Sequence, residues 1–285
     1  MGKIHYKRGD YGDSESEFSD SLRISMRTND LDGAAEAHYF LGAIYEKRGE
    51  LNKAMGEYKN AAETSESADN EVLEAKSKLG LGRILSRKGK YKDSLKKMKE
   101  SIATFERLGE DDELPRAYSN AGATAFYIDL DESLEWHEKS MKMANRNNDL
   151  RMLGFCLCNV AGCLNEKGEP KKALVQLKEA SMISKKLDEK SMICSVDIQT
   201  GWAYRLQRKW KDSNGCSEHA VRVAEESDLP YELGDALLNW ALVDIDRGDK
   251  REAKLKLKRA LKVFDKLDNQ AKVNDIKDIL RGLSR

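Results

Sequence analysis

The fold of this chain is decided by a stretch that begins at Phe40 and reads FLGAIYEKRGELNKAMGEY. Small and apolar residues recur every three or four positions on both sides of Gly49, which is the spacing of two amphipathic helices joined by a turn. Glycine suits the end of the first helix because a residue there often needs a left-handed backbone conformation. The stretch therefore predicts a helix–turn–helix hairpin.

The same pattern returns about every 40 residues. The small residue of the first helix recurs at Gly42, Gly82, Gly122, Ala161, Gly201 and Ala241. The small residue of the second helix recurs at Ser14, Ala54, Ser94, Ser133, Ala173, Ser213 and Ala253. The turn carries Gly9, Gly49, Gly89, Gly168 or Gly248, with Asp129 and Arg208 in the other two units. Because one hairpin cannot bury its apolar face alone, the pattern predicts a stacked array of helical repeats.

The first complete unit resembles the tetratricopeptide repeat. The matching residues are Leu41, Gly42, Tyr45, Gly49, Ala54, Tyr58 and Ala61. The resemblance implies an all-α fold, a right-handed superhelix of about seven helix-turn-helix units with a C-terminal capping helix. The period exceeds the common one of about 34 residues. It is similar to the long-repeat subclass of Partner-of-Inscuteable-type proteins and of bacterial and archaeal regulatory arrays, especially in AYSNAG (117–122) and LEWHEKS (134–140).

The repeat register predicts a domain division. We expect a repeat array over 1–268, with units near 1–28, 31–68, 70–108, 111–147, 149–187, 189–227 and 230–267, and a capping helix over 269–285. Gly2 lies 40 residues before Gly42, so Met1 falls in the middle of a predicted first helix. This suggests that the chain is a fragment of a longer protein.

Composition limits the classes of function. The 285 residues include 50 Lys+Arg and 50 Asp+Glu, so the net charge is zero and a wholesale nucleic-acid-binding surface is not expected. No stretch reaches the roughly 20 apolar residues of a membrane span. Five cysteines and no secretory signal predict reduced thiols in a cytoplasmic protein.

The resemblance also implies a ligand surface, because the first helices of tetratricopeptide arrays line a concave groove. On the register that places Gly42 at position 8, the predicted groove residues are Lys76, Arg83, Arg87, Arg116, Asn120, Phe126, Tyr127, Phe155, Asn159, Gln199, Trp202, Arg205 and Asn239. The same register adds Lys47 to the early groove, Asn165 to the middle and Asp246 to the later part.

Three features of this surface have alternative interpretations. Amides at one repeat position (Asn120, Asn159, Gln199, Asn239) suit a peptide backbone, or they bond only a neighbouring helix or water. The early basic residues suit an acidic ligand, or they form an ordinary solvated surface; this basic band comprises Lys47, Lys76, Arg83, Arg87 and Arg116. The aromatic residues are interface anchors, or they belong to the core.

No catalytic or metal site is expected. The histidines His5, His38, His137 and His219 lie in different repeats, without metal-ligand spacing. Cys156, Cys158 and Cys163 fall in one predicted helix, whereas a zinc knuckle needs a turn between its cysteines. We therefore expect no enzymatic activity and no cofactor.

The sequence thus favours a non-catalytic interaction scaffold that binds a peptide or protein partner in its groove. An alternative is the ligand-sensing regulatory module of a larger signalling or transcription protein. Self-association into a homo-oligomer is a third hypothesis. Neither a nucleic-acid nor a membrane partner is expected.

Overall fold

The computed structural model describes residues 1–283, in which every regular element is an α-helix. The helices are α1 (Gly2–Arg8), α2 (Tyr11–Thr28), α3 (Leu31–Lys47), α4 (Leu51–Ser67), α5 (Glu71–Arg87), α6 (Tyr91–Leu108), α7 (Leu114–Ala125), α8 (Leu130–Arg146), α9 (Leu150–Glu166), α10 (Pro170–Leu187), α11 (Lys190–Leu206), α12 (Trp210–Glu226), α13 (Pro230–Arg247), α14 (Lys250–Lys266) and α15 (Gln270–Gly282). Of the predicted capping helix, residues 284 and 285 lie outside the described part.

The helices follow one another as short-linked pairs, α1–α2 through α13–α14, and α15 packs on α14. Two compact units divide the chain, Met1–Thr124 (unit 1) and Ala125–Arg285 (unit 2). Within unit 2, α15 buries Val273 and Ile276 in the cluster that contains Phe264 of α14.

The predicted small residues of the second helices are buried and lie where paired helices meet. All seven are fully buried. At three of these positions a serine hydroxyl donates to the first helix of its pair: Ser14 to the Gly2 carbonyl at 3.0 Å, Ser94 to the Gly82 carbonyl at 2.7 Å and Ser213 to the Gly201 carbonyl at 2.7 Å. Small size and one added hydrogen bond therefore both serve the helix–helix contact.

Glycine also allows close approach between neighbouring pairs. The ring of Tyr58 on α4 lies between Gly42 of α3 and Gly80 of α5. A Cβ atom added at Gly42 would lie 2.9 Å from the ring, and one at Gly80 would lie 2.7 Å from it. Gly42 was predicted from the repeat, whereas the role of Gly80 is visible only in the packing.

The backbone takes a left-handed conformation at both kinds of turn. After the first helices this residue is Gly9, Gly49, Gly89, Gly168, Arg208 or Gly248. After the second helices it is Asn29, Asp69, Gly109, Asn148, Asp188, Asp228 or Asp268. Asn and Asp tolerate this region better than other non-glycine residues. The second series follows the same period of about 40 residues, but it was not among the features predicted from the sequence.

The fourth pair departs from the predicted pattern. Asp129, expected to take the place of the turn glycine, has a φ of −152°, and its side chain accepts hydrogen bonds from the backbone N–H groups of Asp131 and Glu132. α7 ends at Ala125, so Phe126 and Tyr127 lie in the turn that follows and not on the helix. The connection between α7 and α8 (126–129) is one residue longer than that between α3 and α4 (48–50), so the shorter repeat comes from the earlier end of α7, and Asp129 caps α8 directly.

Candidate functional site

Most of the predicted groove residues lie on the first helices of their pairs. Lys76, Arg83 and Arg87 are on α5, Arg116 and Asn120 on α7, Phe155 and Asn159 on α9, Gln199, Trp202 and Arg205 on α11, and Asn239 on α13. Arg116 is exposed, Asn239 is buried and the others in this group are half-buried. Of the two residues in the turn after α7, Phe126 is half-buried and Tyr127 is exposed.

In unit 1, the guanidinium of Arg83 forms an ion pair with a carboxylate of the same chain, that of Glu46. Its Nε and Nη2 donate to the two carboxylate oxygens of Glu46 at 3.0 and 2.7 Å, and the Tyr58 hydroxyl donates to the same carboxylate at 2.8 Å. Burial alone would raise the pKa of Glu46, but the charge and hydrogen bonds of Arg83 outweigh burial and lower it. The Arg87 Nη1 also donates to the Glu46 carbonyl oxygen, at 3.4 Å.

A second carboxylate in unit 1 pairs with two further cations of the predicted basic band. Glu113 accepts from Lys76 at 2.9 Å and from Arg116 at 2.8 Å. Burial opposes ionisation of Glu113, yet the hydrogen bond from Lys76 and the charge of Arg116 hold its pKa below the usual value. Three cations of the basic band, Lys76, Arg83 and Arg116, are therefore paired with Glu46 or Glu113, and Arg87 bonds a backbone carbonyl oxygen.

In unit 2, asparagines bond α11 from both neighbouring first helices. Nδ2 of Asn165 on α9 donates to the Gln199 carbonyl oxygen at 3.0 Å. Nδ2 of Asn239 on α13 donates to the preceding carbonyl oxygen, that of Ile198, at 3.1 Å. The Oδ1 atoms of both asparagines are buried without a hydrogen-bond partner. For Asn239 the neighbouring-helix alternative therefore describes the contact observed.

The other amides of this surface remain more accessible. Asn159 and Gln199 are half-buried on the adjacent helices α9 and α11, and the side chain of Asn159 makes no hydrogen bond within residues 1–283. Gly162 on α9 provides the space beside the Gln199 amide, since an added Cβ would lie 3.3 Å from its Oε1. We call Asn159, Asn165, Gln199 and Asn239 the amide face. Asn120, in unit 1, keeps a buried Nδ2 without a partner.

Arg205 lies on the same helix as Gln199, six residues further on. Its side chain is only 15% exposed, its nearest carboxylate contact is Nη1 to Asp246 Oδ2 at 3.8 Å, and its Nε has no partner. Burial lowers the pKa of Arg205, and the opposing influence of Asp246 and Glu166 does not offset it. Arg205 is therefore a poorly compensated cation.

The histidines and cysteines do not form a common cluster among the described residues. His38 contacts Glu57 at 2.6 Å and His219 contacts Asp197 at 2.5 Å. Burial lowers the pKa of His137 to about 4. Cys156, Cys158 and Cys163 are buried. Within residues 1–283 no three His, Cys, Asp or Glu residues are arranged to hold a metal ion, and no helix has the length and apolar character of a membrane span.

Solved structures with the same fold include proteins that bind peptides. The apo form of RapI matches with a TM-score of 0.81 at 12% identity, over 93% of this chain and 96% of RapI. NprR in complex with its cognate peptide NprX matches with a TM-score of 0.70 at 14% identity, over 94% and 82%. A STAND protein with a tetratricopeptide repeat sensor from Pyrococcus horikoshii matches at 0.67 and 15% identity, over 98% of this chain and 43% of that one.

No protein-family profile and no curated protein matches the sequence. At these low identities the structural likeness establishes the fold alone: an all-α, tetratricopeptide-type helical-repeat solenoid.

Proposed function

We propose that this chain is a non-catalytic binding protein that holds an extended peptide segment against the amide face of unit 2. The observation that carries the proposal is the pair Asn159 and Gln199, half-buried amides at one repeat position on adjacent helices. A side-chain amide offers both a donor and an acceptor, so two of them in register can bond the N–H and C=O groups of an extended backbone.

Two further observations support this proposal. Trp202 is half-buried on α11, three residues from Gln199, and tryptophan is a favoured anchor at interfaces. The fold is also shared with NprR, which was solved with a bound peptide. The partner would be a peptide or a peptide segment of a protein, in a cytoplasmic setting where cysteines such as Cys158 and Cys163 stay as reduced thiols.

Removal of the two accessible amides tests the proposal. The probe is a soluble library of random synthetic octapeptides, and the readout is affinity selection followed by mass spectrometry. We expect N159A/Q199A to retain at most a tenth of the peptides that the unchanged protein retains. The matched control is N145A/N147A, in which two exposed asparagines near the end of α8 are removed. Equal retention by both double variants would contradict the amide face as the binding surface.

A second candidate function is a ligand-sensing regulatory module of a larger signalling or transcription protein. The specific observation in its favour is the similarity to a STAND protein whose repeats form a sensor. A helix-turn-helix, ATPase or kinase region in the same reading frame would support it, and a reading frame that encodes only this array would argue against it.

Two narrower properties complete the proposal. We place the chain in the long-repeat tetratricopeptide subclass because its left-handed turn residues after the second helices recur at intervals of 39–40 residues.

We also propose that the chain forms homo-oligomers, because the first pair exposes four apolar residues, Met1, Ile4, Ile24 and Met26. Light scattering over a hundredfold range of concentration would test it, and a constant monomer mass would reject it.

A further inference from the structure

Arg205 occupies an environment that is costly for a cation without a close counter-charge. About 85% of its side chain is removed from water, as the 15% exposure shows. A guanidinium has five N–H donors, and burial is tolerated when carboxylates or carbonyls accept from them. Among residues 1–283 the Nε–H of Arg205 meets no acceptor, and its one ion contact is a 3.8 Å approach to Asp246.

Arg83 of unit 1 shows how this chain satisfies a half-buried arginine when the role is structural. Arg83 donates two parallel bonds to Glu46, and the pair raises its pKa despite burial. Arg205 has the opposite balance, because burial outweighs its neighbours and its pKa falls. A carboxylate that accepted two parallel hydrogen bonds from Arg205, as Glu46 does from Arg83, would favour the charged form of Arg205 in the same way.

The carboxylates near Arg205 do not supply such a bond. Asp246 is 44% exposed and lies beyond hydrogen-bond distance. Glu166, at the end of α9, is exposed and forms no ion pair with Arg205. Both carboxylates are exposed to solvent, and water weakens their attraction to the Arg205 guanidinium.

The position of Arg205 matches that of a ligand anchor. It lies on α11, which packs against both α9 and α13, so it belongs to the middle helix of the surface. Trp202 is one turn away on the same helix and is half-buried. Arginine and tryptophan near the centre of a contact surface are the residue types that most often dominate binding energy.

We propose that Arg205 binds a carboxylate group of the peptide ligand, and so selects peptides with an acidic side chain or a free C-terminus at this point. The inference rests on the proposed peptide binding by the amide face. The guanidinium would donate two parallel hydrogen bonds to the ligand carboxylate. Lysine could not reproduce this geometry, because its ammonium group is a point charge without the planar fork.

Two synthetic octapeptide libraries test the proposal, one with free C-terminal carboxylates and one with C-terminal amides. Affinity selection is performed with the unchanged protein, with R205Q and R205K, and with the control R222Q, which removes an exposed arginine of α12. We expect the unchanged protein and R222Q either to enrich Asp or Glu at one position or to retain more of the free-carboxylate library than of the amide library, and R205Q to lose that preference. Persistence of the preference on the amide library would identify a side-chain carboxylate, and its loss there would identify the C-terminus.

One enriched peptide and its Asp→Asn, Glu→Gln or C-terminal amide analogue are then compared by calorimetry. We expect a loss of tenfold or more on the unchanged protein and less than twofold on R205Q, with R205K between them. Equal discrimination by R205Q would overturn the role of Arg205 while leaving peptide binding intact. Absence of enrichment by any form of the protein would instead contradict the proposed function, and the inference with it. The unfolding midpoint of each variant is measured alongside, and if R205Q does not fold, R205K provides the same comparison.

Discussion

Ser94 donates a hydrogen bond from its hydroxyl to the carbonyl oxygen of Gly82 at 2.7 Å, twelve residues earlier in the chain. The bond joins α6 to α5, the two helices of one pair. Ala54 occupies the same repeat position and is equally buried, so an alanine fits there without a cavity.

We therefore expect S94A to lower the free energy of unfolding by only about 1 kcal/mol, the usual net contribution of one hydrogen bond. Chemical denaturation provides the measurement. S19A, at an exposed position of α2, is the control and should change stability by less than about 0.5 kcal/mol. A loss equal to that of S19A would show that the bond contributes nothing.

Gly80 should not tolerate alanine. A Cβ atom there would lie 2.7 Å from the buried Tyr58 ring, whose hydroxyl is fixed by Glu46. We expect G80A to cost about 1–3 kcal/mol through overpacking. G56A is a matched control, because Gly56 lies on α4 with no atom within 4 Å of an added Cβ and should gain about 0.5–1 kcal/mol. Thermal unfolding of the two variants should therefore shift in opposite directions.

Arg208 offers a gain in stability. Its φ of 57° is left-handed, at a turn where five other repeats have glycine. We expect R208G to raise the free energy of unfolding by up to about 1 kcal/mol, since the relief of backbone strain exceeds the added entropy of the unfolded chain. R208A, which keeps the Cβ atom, should bring no gain, and a similar increase in both variants would assign the effect to the lost charge.

His137 should make stability depend on pH. Its pKa of about 4 in the folded protein is lowered by burial, against about 6.5 in the unfolded chain. The unfolded state therefore binds a proton first as pH falls, and roughly 3 kcal/mol of stability present above pH 6.5 is lost by pH 4.

Leucine replaces this histidine at two equivalent positions, Leu177 and Leu257, both buried. In H137L the contribution of His137 to the pH dependence should vanish, while the carboxylates titrate as before. The stability of H137L minus that of the unchanged protein, measured by urea unfolding, should be constant above pH 7 and rise by roughly 3 kcal/mol between pH 6.5 and 4. A difference that does not change with pH would contradict the assignment.

The two half-buried arginines, Arg83 and Arg205, should respond differently to removal of their charge. R83Q leaves the half-buried Glu46 carboxylate with the Tyr58 hydrogen bond and the charge of Arg87 but without its ion pair, and we expect a loss of about 1–3 kcal/mol. R205Q removes a cation that lacks a close partner, so the free energy of unfolding should fall by less than about 1 kcal/mol. A large loss in R205Q would indicate that Arg205 has a structural role, and parallel denaturation curves decide between the two.

How far the candidate surface could be predicted depends on the residue. Asn159, Gln199 and Trp202 follow from the repeat register because each lies on a first helix, and the register is set by a period that can be counted. Phe126 and Tyr127 do not, because whether a helix continues for two more residues depends on how the next helix is capped by Asp129. Asn239 lies on its predicted helix, but its amide bonds α11 across the interface between repeats.

The sequence by itself determined the all-α repeat fold, since small residues every 40 positions and apolar residues at helical spacing allow one way of burying apolar surface. It also located the first helices that carry the candidate surface. Only the tertiary structure decided which charges on those helices are already paired, because an ion pair such as Arg83 with Glu46 joins residues 37 positions apart. The sequence groups Arg83 and Arg205 as cations of one predicted surface, and only the position of their neighbours shows that one is neutralised and the other is not.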